Sequence, residues 1–351
     1  MRDRLGTRIA FALGAATAVL LATAVLLAAC GSSTGSTGSS SASPTTASIK
    51  VGLILPGPVN DQGFNQSAYD SLALLRSKLS AQTSYQENVS ENGFQQAYQG
   101  YASEGYTVII GQGFEFGDVT KTVAPKYPHV YFVVTNSGPY TPGASNAIGL
   151  QPDSQDAAYL AGVVAGMATK TGKVGAIAGQ QFPVIVEQLQ AYKLGAESVR
   201  HNVQVSMNYL GGFNDVSKAK QTALAMASNG VDVIYHIADA AGAGVIQGCQ
   251  QAHILAIGWG DDQYSMAPGT VVTSEIVNQQ QMILGAVQSV LNHTFKGGGT
   301  EYYGLDDSSV LGLAPIRGLS PSLTRAIDAK VKADTAAIIS GQLKVPIITK
   351  A

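Results

Sequence analysis

Four places in the chain carry side chains with binding chemistry, and each follows a short apolar run. The first is Asn60-Asp61-Gln62-Gly63-Phe64-Asn65, with a carboxylate, an aromatic ring and an amide close together. Asn60 or Asp61 is placed to cap the following helix, Gly63 to relax the backbone, and Phe64 to staple into the core. Capping uses one polar group. It leaves Asn65 and the ring for recognition, beside the free N–H groups of a helix start. The second place is Gly111 to Asp118, where Phe114 and Phe116 sit among glycines and suit either a core or a ligand wall. The third is Gly179-Gln180-Gln181-Phe182-Pro183, where Phe182 offers a flat apolar face. A planar ligand held between two rings gains about 0.5–1.5 kcal/mol beyond area burial. The fourth is a pair of loops, Asp239 to Gly244 and Gly258-Trp259-Gly260-Asp261-Asp262-Gln263. Trp259, the sole tryptophan, fits a core or a ligand wall equally well. Asp261 or Asp262 is suited to accept hydrogen bonds from ligand hydroxyls.

Other chemistries lack their residues. Gly242 to Gly248 comes near a dinucleotide fingerprint, but its spacing is one residue too long. GSSTG at 31–35 matches a nucleophile elbow without the strand and helix that motif requires. The five histidines are scattered, with no metal-ligand spacing, so neither a metal nor another cofactor is expected. Cys249 is the only cysteine besides Cys30, which excludes an intramolecular disulfide framework once Cys30 is otherwise used. No nucleophile, base and orienting acid stand together, so catalysis is not expected. The formal charge of −2 and the absence of basic runs argue against nucleic acid as a partner.

The elements that must position these loops alternate. Strands are expected at Ile49–Leu55, Thr107–Gly111, Val130–Thr135, Lys173–Ala178, Val203–Leu210, Val231–Ala238, Ile254–Gly258 and Thr270–Thr273. Helices are expected at about Phe64–Leu79, Asn92–Glu104, Gly117–Lys126, Asp153–Lys170, Val184–Arg200, Val216–Asn229, Gly242–Gln251 and Asn278–Asn292. Several strands are apolar throughout, as in parallel sheets covered on both faces. Alternating strand and helix predicts an α/β fold. Asp153 and Asn214-Asp215 read as N-caps. Gly162 and Gly166 have membrane-type small-residue spacing, but the apolar stretch is short, so close packing of a buried helix is expected. The length past residue 48 suggests two lobes. The expected division is 49–136 plus about 275–300 for one, and 137–274 plus about 301–351 for the other. Two such sheets face each other across a cleft at their strand C-termini.

The start of the chain reads as an export signal. Arg2, Arg4 and Arg8 precede an uncharged, mostly apolar run from Ile9 to Ala29. An uncleaved anchor helix is the competing reading. Leu27-Ala28-Ala29-Cys30 resembles a bacterial lipobox, which implies lipid attachment at Cys30 and a signal peptide over 1–29. Residues 30–48 then form a Gly/Ser-rich tether. Loss of Arg2, Arg4, Arg8 and Asp3 takes the formal charge from −2 to −4.

Asn60 to Ala68 resembles the D-x-S/G-F-N-Q signature of the basic membrane protein (PnrA-like) family, the substrate-binding lipoproteins of nucleoside-type ABC importers. Ala124 to Pro128, Ala158 to Gly162, Thr171 to Gly175, Phe213 to Asp215 and Gly230 to His236 resemble further motifs of that family, in order. The resemblance implies a type I periplasmic-binding-protein fold with two lobes, a three-segment hinge and a ligand buried on closure. It implies a purine nucleoside or related small polar solute, and an ABC permease and ATPase as partners. It places the protein at the cell membrane, lipid-anchored on the extracytoplasmic side. Carried onto this chain, Asp61, Phe64 and Asn65 are expected to contact ligand, with Phe182 as second ring; from their own places at strand ends, Phe114, Asp239, Trp259 and Asp261 are the further candidate ligand-binding residues. Three positions depart from the family pattern. A ribose-holding Asp is Gly260, a Lys is Val277, and a Gly is Asp239. A ligand sensor or surface lipoprotein without a transporter, or a nucleoside-processing enzyme, are the alternative readings.

Overall fold

The computed structural model describes residues 48–61, 63–138 and 142–350. The expected signal peptide, Cys30 and all but the end of the tether lie outside the described residues.

The first lobe runs β1 (Lys50–Ile54), α1 (Phe64–Leu79), β2 (Gln82–Gln86), α2 (Glu91–Ser103), β3 (Val108–Gln112), α3 (Phe116–Val123), β4 (Tyr131–Thr135) and β5 (Ala147–Pro152). The chain then builds the second lobe through α4 (Ser154–Ala168), β6 (Lys173–Ala178), α5 (Pro183–Val199), β7 (Gln204–Tyr209), α6 (Val216–Ser228), β8 (Val233–Ile237), α7 (Gly242–Ala252), β9 (Leu255–Gly260) and β10 (Val271–Val277). It returns to the first lobe with α8 (Gln279–Leu291) and β11 (Thr300–Tyr303), and ends in the second with β12 (Leu311–Leu313) and α9 (Pro321–Ile339). The two six-stranded sheets have the orders β11-β5-β4-β3-β1-β2 and β12-β10-β9-β8-β6-β7. Every pairing is parallel except that of the edge strand β12 with β10.

Central strands such as VIIGQ and VIYHI are buried along their whole length, because helices cover both faces. The edge strand β2, QTSYQ, is polar and largely accessible, and gave no apolar signal. The chain crosses between lobes at Asp153, at Asn278 and between Tyr303 and Leu311. These crossings lie later than the expected boundaries near 136, 274 and 300. The shift at Asn278 comes from β10, which runs on to Val277, and the other two come from β5 and β11. Both are short, both pair within the first sheet, and β5 follows a Pro/Gly-rich stretch that reads as a linker.

The helix α4 is buried on nearly every side. Gly162 and Gly166 face Tyr192 and Ala196 of α5, while Gly195 faces Tyr159. A Cβ at Gly162 or Gly195 would overlap a carbonyl oxygen of the partner helix, so the backbones touch. This is the close packing expected of that glycine spacing. Asp215 caps α6 by accepting the Lys218 N–H at 2.8 Å. Asp153 stands at the N-cap of α4 but makes no side-chain cap bond.

Candidate ligand-binding cleft between the two lobes

The loop before α1 is organised by Asp61, which is 5% exposed. Its Oδ1 accepts the N–H groups of Gly63 at 3.0 Å and Gln66 at 2.9 Å. Its Oδ2 accepts the Asn65 N–H at 2.8 Å and the Asn65 side-chain amide at 2.7 Å. A carboxylate offers about four acceptor sites, and all are engaged here. The Asp239 carboxyl of the second lobe comes up against Gly63 at the same helix start. Three of the four free N–H groups of the helix start are therefore held by Asp61. Sequence reasoning left those donors open for a ligand. The Asp61 side chain lies two residues before the helix cap, close enough to fold over them.

Asn65 is held twice, since its Oδ1 also accepts the Gly57 N–H at 3.2 Å. Gln112 locks the same helix from below. Its amide donates to the Phe64 carbonyl at 2.8 Å and to Gln279 at 2.6 Å, and its Oε1 accepts from Thr135 at 2.6 Å. One buried side chain thus ties α1, β3, β4 and α8 together.

Asp239 stands at the C-terminal end of β8 with φ of 43°, in the left-handed region. Its Cα lies 3.0 Å from where a Cβ on Gly63 would be, so glycine permits this approach of the two lobes. Burial first, and the charge of Asp61 second, push the Asp239 carboxyl up to about 7.

Between the lobes lies a cavity of about 390 Å³. Its walls include Asp61, Phe64, Asn65, Phe114, Phe182, Asp239 and Trp259. Seven of the eight residues singled out from sequence are thus brought to one space from loops spread over two lobes. The eighth, Asp261, lines a smaller neighbouring pocket with Gly63, Ser67 and Gln279. Burial, and then the charge of Asp70 on α1, push its carboxyl up. Gly260 has φ of 91°, a conformation that strains any other L residue. A carboxylate at that position is therefore disfavoured by the backbone itself. Val277, 2% exposed, forms apolar wall.

Phe114 of the first lobe and Phe182 of the second meet edge to face, with centroids 5.5 Å apart and planes at 73°. Phe182 also lies 6.2 Å from Phe213, at 33°. Phe213 and Glu115 line the cavity and were missed as site residues. The signal for Phe213 was its place just beyond an expected strand. Glu115 adjoins Phe114 and gave no separate signal. Gln188, also missed, projects from the middle of α5, where no loop pattern marks it. It accepts the Trp259 indole N–H at 3.2 Å, so Trp259 serves as both core and wall.

Behind Trp259, Glu275 is fully buried, accepts a hydrogen bond from the Tyr235 hydroxyl, and is pushed up to about 8 by burial. His236, also buried, bonds Gln263 at 2.9 Å and is lowered to about 4 by burial. No group of three or more potential metal ligands occurs among the described residues. No described helix is long and apolar enough to cross a membrane.

Residues 48–349 match the model of the Bmp family, ABC transporter substrate-binding protein PnrA-like. The chain belongs to that family. Among Bmp relatives, the ABC transporter nucleoside-binding protein BmpA of Lactococcus lactis is 31% identical, over 95% of this chain and 98% of its own. Basic membrane protein A2 of Borrelia garinii is 29% identical, over 74% of this chain and 78% of its own. Among solved structures, an ABC transporter solute-binding protein from Aeropyrum pernix superposes with TM-score 0.74 at 22% identity, covering 85% of this chain and 94% of that one. Another, from Conexibacter woesei, gives 0.71 at 22% identity, covering 86% and 100%. The architecture is therefore the two-lobed α/β fold of periplasmic-type solute-binding proteins, and the family is one of ABC transporter substrate-binding proteins rather than enzymes.

Proposed function

We propose that this protein is an extracytoplasmic lipoprotein that captures a nucleoside-like solute in the cleft and delivers it to an ABC permease and ATPase. The observation that carries the reading is the contact of Phe114 with Phe182 across the lobes, at the edge of a cavity large enough for a small molecule. Pockets of a few hundred Å³ with aromatic walls and a few placed polar groups suit small planar ligands. The name of the Lactococcus lactis relative supports the nucleoside class.

The mechanism is population shift. A ligand touching both lobes binds the closed form better and draws the molecule toward it. The three crossings at Asp153, Asn278 and 304–310 are the places where backbone torsions absorb the motion. No bond is made or broken by the protein. Lipidation at Cys30 holds it at the membrane while the tether lets it reach its permease.

Calorimetry on the detergent-solubilised full-length chain, with native mass spectrometry of the purified protein, tests this reading. A panel of nucleosides and sugars is titrated. Micromolar binding of at least one nucleoside is expected. Binding of sugars alone, or turnover of a bound nucleoside, would overturn it.

A further inference from the structure

We propose that the cleft selects a planar ligand that is uncharged or cationic and carries N–H donors, and that Glu115 is the side chain that receives them. The inference rests on the cleft being the ligand site, as proposed above, and sharpens which ligands fit it.

Four carboxylates, Asp61, Glu91, Glu115 and Asp239, line the cavity, and none of its described lining residues is Lys or Arg. A phosphate or carboxylate ligand would enter against like charge with no cation to pair it.

The four carboxylates are not equivalent. Asp61 has no acceptor site left, as the hydrogen bonds of the α1 start show. Asp239 is pressed against the α1 start, with Oδ1 beside Gly63. Glu91 is exposed at the rim. Glu115 Oε2 is buried and has no hydrogen-bond partner. Burial pushes this carboxyl up, its own backbone N–H partly offsets that, and Glu91 adds to the rise. An unpaired buried acceptor is destabilising, and a ligand N–H removes that cost. Glu115 follows Phe114 directly in the chain, and both line the cavity. Sites built to hydrogen-bond particular groups discriminate strongly against analogues lacking them.

The test is calorimetry with the full-length chain and its E115Q variant against five probes. Adenosine carries an amino donor on its base, and purine riboside is the same molecule without it. Adenosine 5′-monophosphate adds an anion. 4-Methylbenzamidine and 4-methylbenzoate are a cationic and an anionic ring outside the nucleoside class. Adenosine is expected to bind about tenfold or more tighter than purine riboside, and about a hundredfold tighter than the monophosphate. In E115Q the preference for adenosine over purine riboside is expected to shrink to within about threefold. Equal binding of adenosine and purine riboside by the unmodified chain overturns the proposal, whatever E115Q does. So does tight binding of the monophosphate or of the benzoate. If neither nucleoside binds but the amidine does, and E115Q weakens it, the selectivity stands and the nucleoside reading falls. If none of the five binds, both fall.

Discussion

Asp61 and Asp239 approach the start of α1 from opposite lobes, and Asp61 accepts three of its four free backbone N–H groups while Asp239 lies against Gly63. A helix start bears partial positive charge and favours a carboxylate there, while the charge of Asp61 helps push the neighbouring Asp239 carboxyl up. One of them belongs to the helix's own loop and orders it. The other arrives only when the lobes meet.

Asp61→Ala removes the side chain that holds three of those donors and the Asn65 amide. Buried N–H groups left without acceptors cost about 1–3 kcal/mol each, and lost caps about 0.5–2 kcal/mol. We expect a loss of roughly 2–4 kcal/mol in urea unfolding, because water reaches some of the freed groups. A loss within 0.5 kcal/mol, on the order of a surface substitution, would show that the loop is not organised in this way.

Gly63→Ala places a methyl group against the Asp239 backbone, where the approach is 3.0 Å. Only the closed arrangement meets this clash, so fold stability should change little while closure weakens. Affinity for the cleft ligand should fall about tenfold or more, given costs of about 1–3 kcal/mol for an added buried methyl. Small-angle scattering with ligand should show a more open molecule. Unchanged affinity would mean that closure does not need this contact.

Gly162→Ala pushes a methyl into the Tyr192 carbonyl where α4 and α5 touch. Neither backbone can yield without moving the other helix. Destabilisation of about 3 kcal/mol or more is expected from denaturant unfolding. Gly100→Ala, on a helix where nothing stands within 4 Å, is the control and should be neutral or slightly stabilising.

Glu275 should make stability fall as pH rises. Its carboxyl is pushed up to about 8 in the folded protein from an ordinary 4.5. Between those values the folded protein holds a proton that the unfolded chain has released. The contribution is therefore complete below about pH 4.5 and is lost as pH rises through about 8. Glu275→Gln keeps the shape without the titration and should flatten the melting-temperature profile between these limits. Near neutral pH it should raise stability, since the unfolded variant has no carboxyl to ionise and folding no longer requires a proton to be taken up. An unaltered profile would mean that other groups set the pH dependence.

The fold was legible where burial writes itself into composition. The run KVGAIA and the helix from Phe64 to Leu79 fall where the pattern put them, because central strands and half-buried helices repeat apolar residues at their own periods. The polar edge strand β2, the short β5 and β11, and the three-residue β12 carry no such period. Each exists because a neighbouring strand offers unpaired N–H and C=O groups. The two lobes' boundaries moved for the same reason. The tail helix α9 buries little beyond Ile327 and Asp334, so its stripe is faint.

By itself, the sequence determined what this protein is made to present: aromatic and polar side chains at the ends of parallel strands. The order of strands and helices sends those loops to one side, which is why residues as distant as Phe64, Phe182 and Trp259 line one cavity. Only the tertiary structure decided which of their polar groups remain available. Asp61, Asp239 and Glu115 are equal as carboxylates in a sequence, and the groups they meet lie up to 176 residues away along the chain, as Gly63 does from Asp239. Whether a lone pair is filled depends on distances across the cleft. Those distances leave Glu115 Oε2 unpaired while filling both oxygens of Asp61.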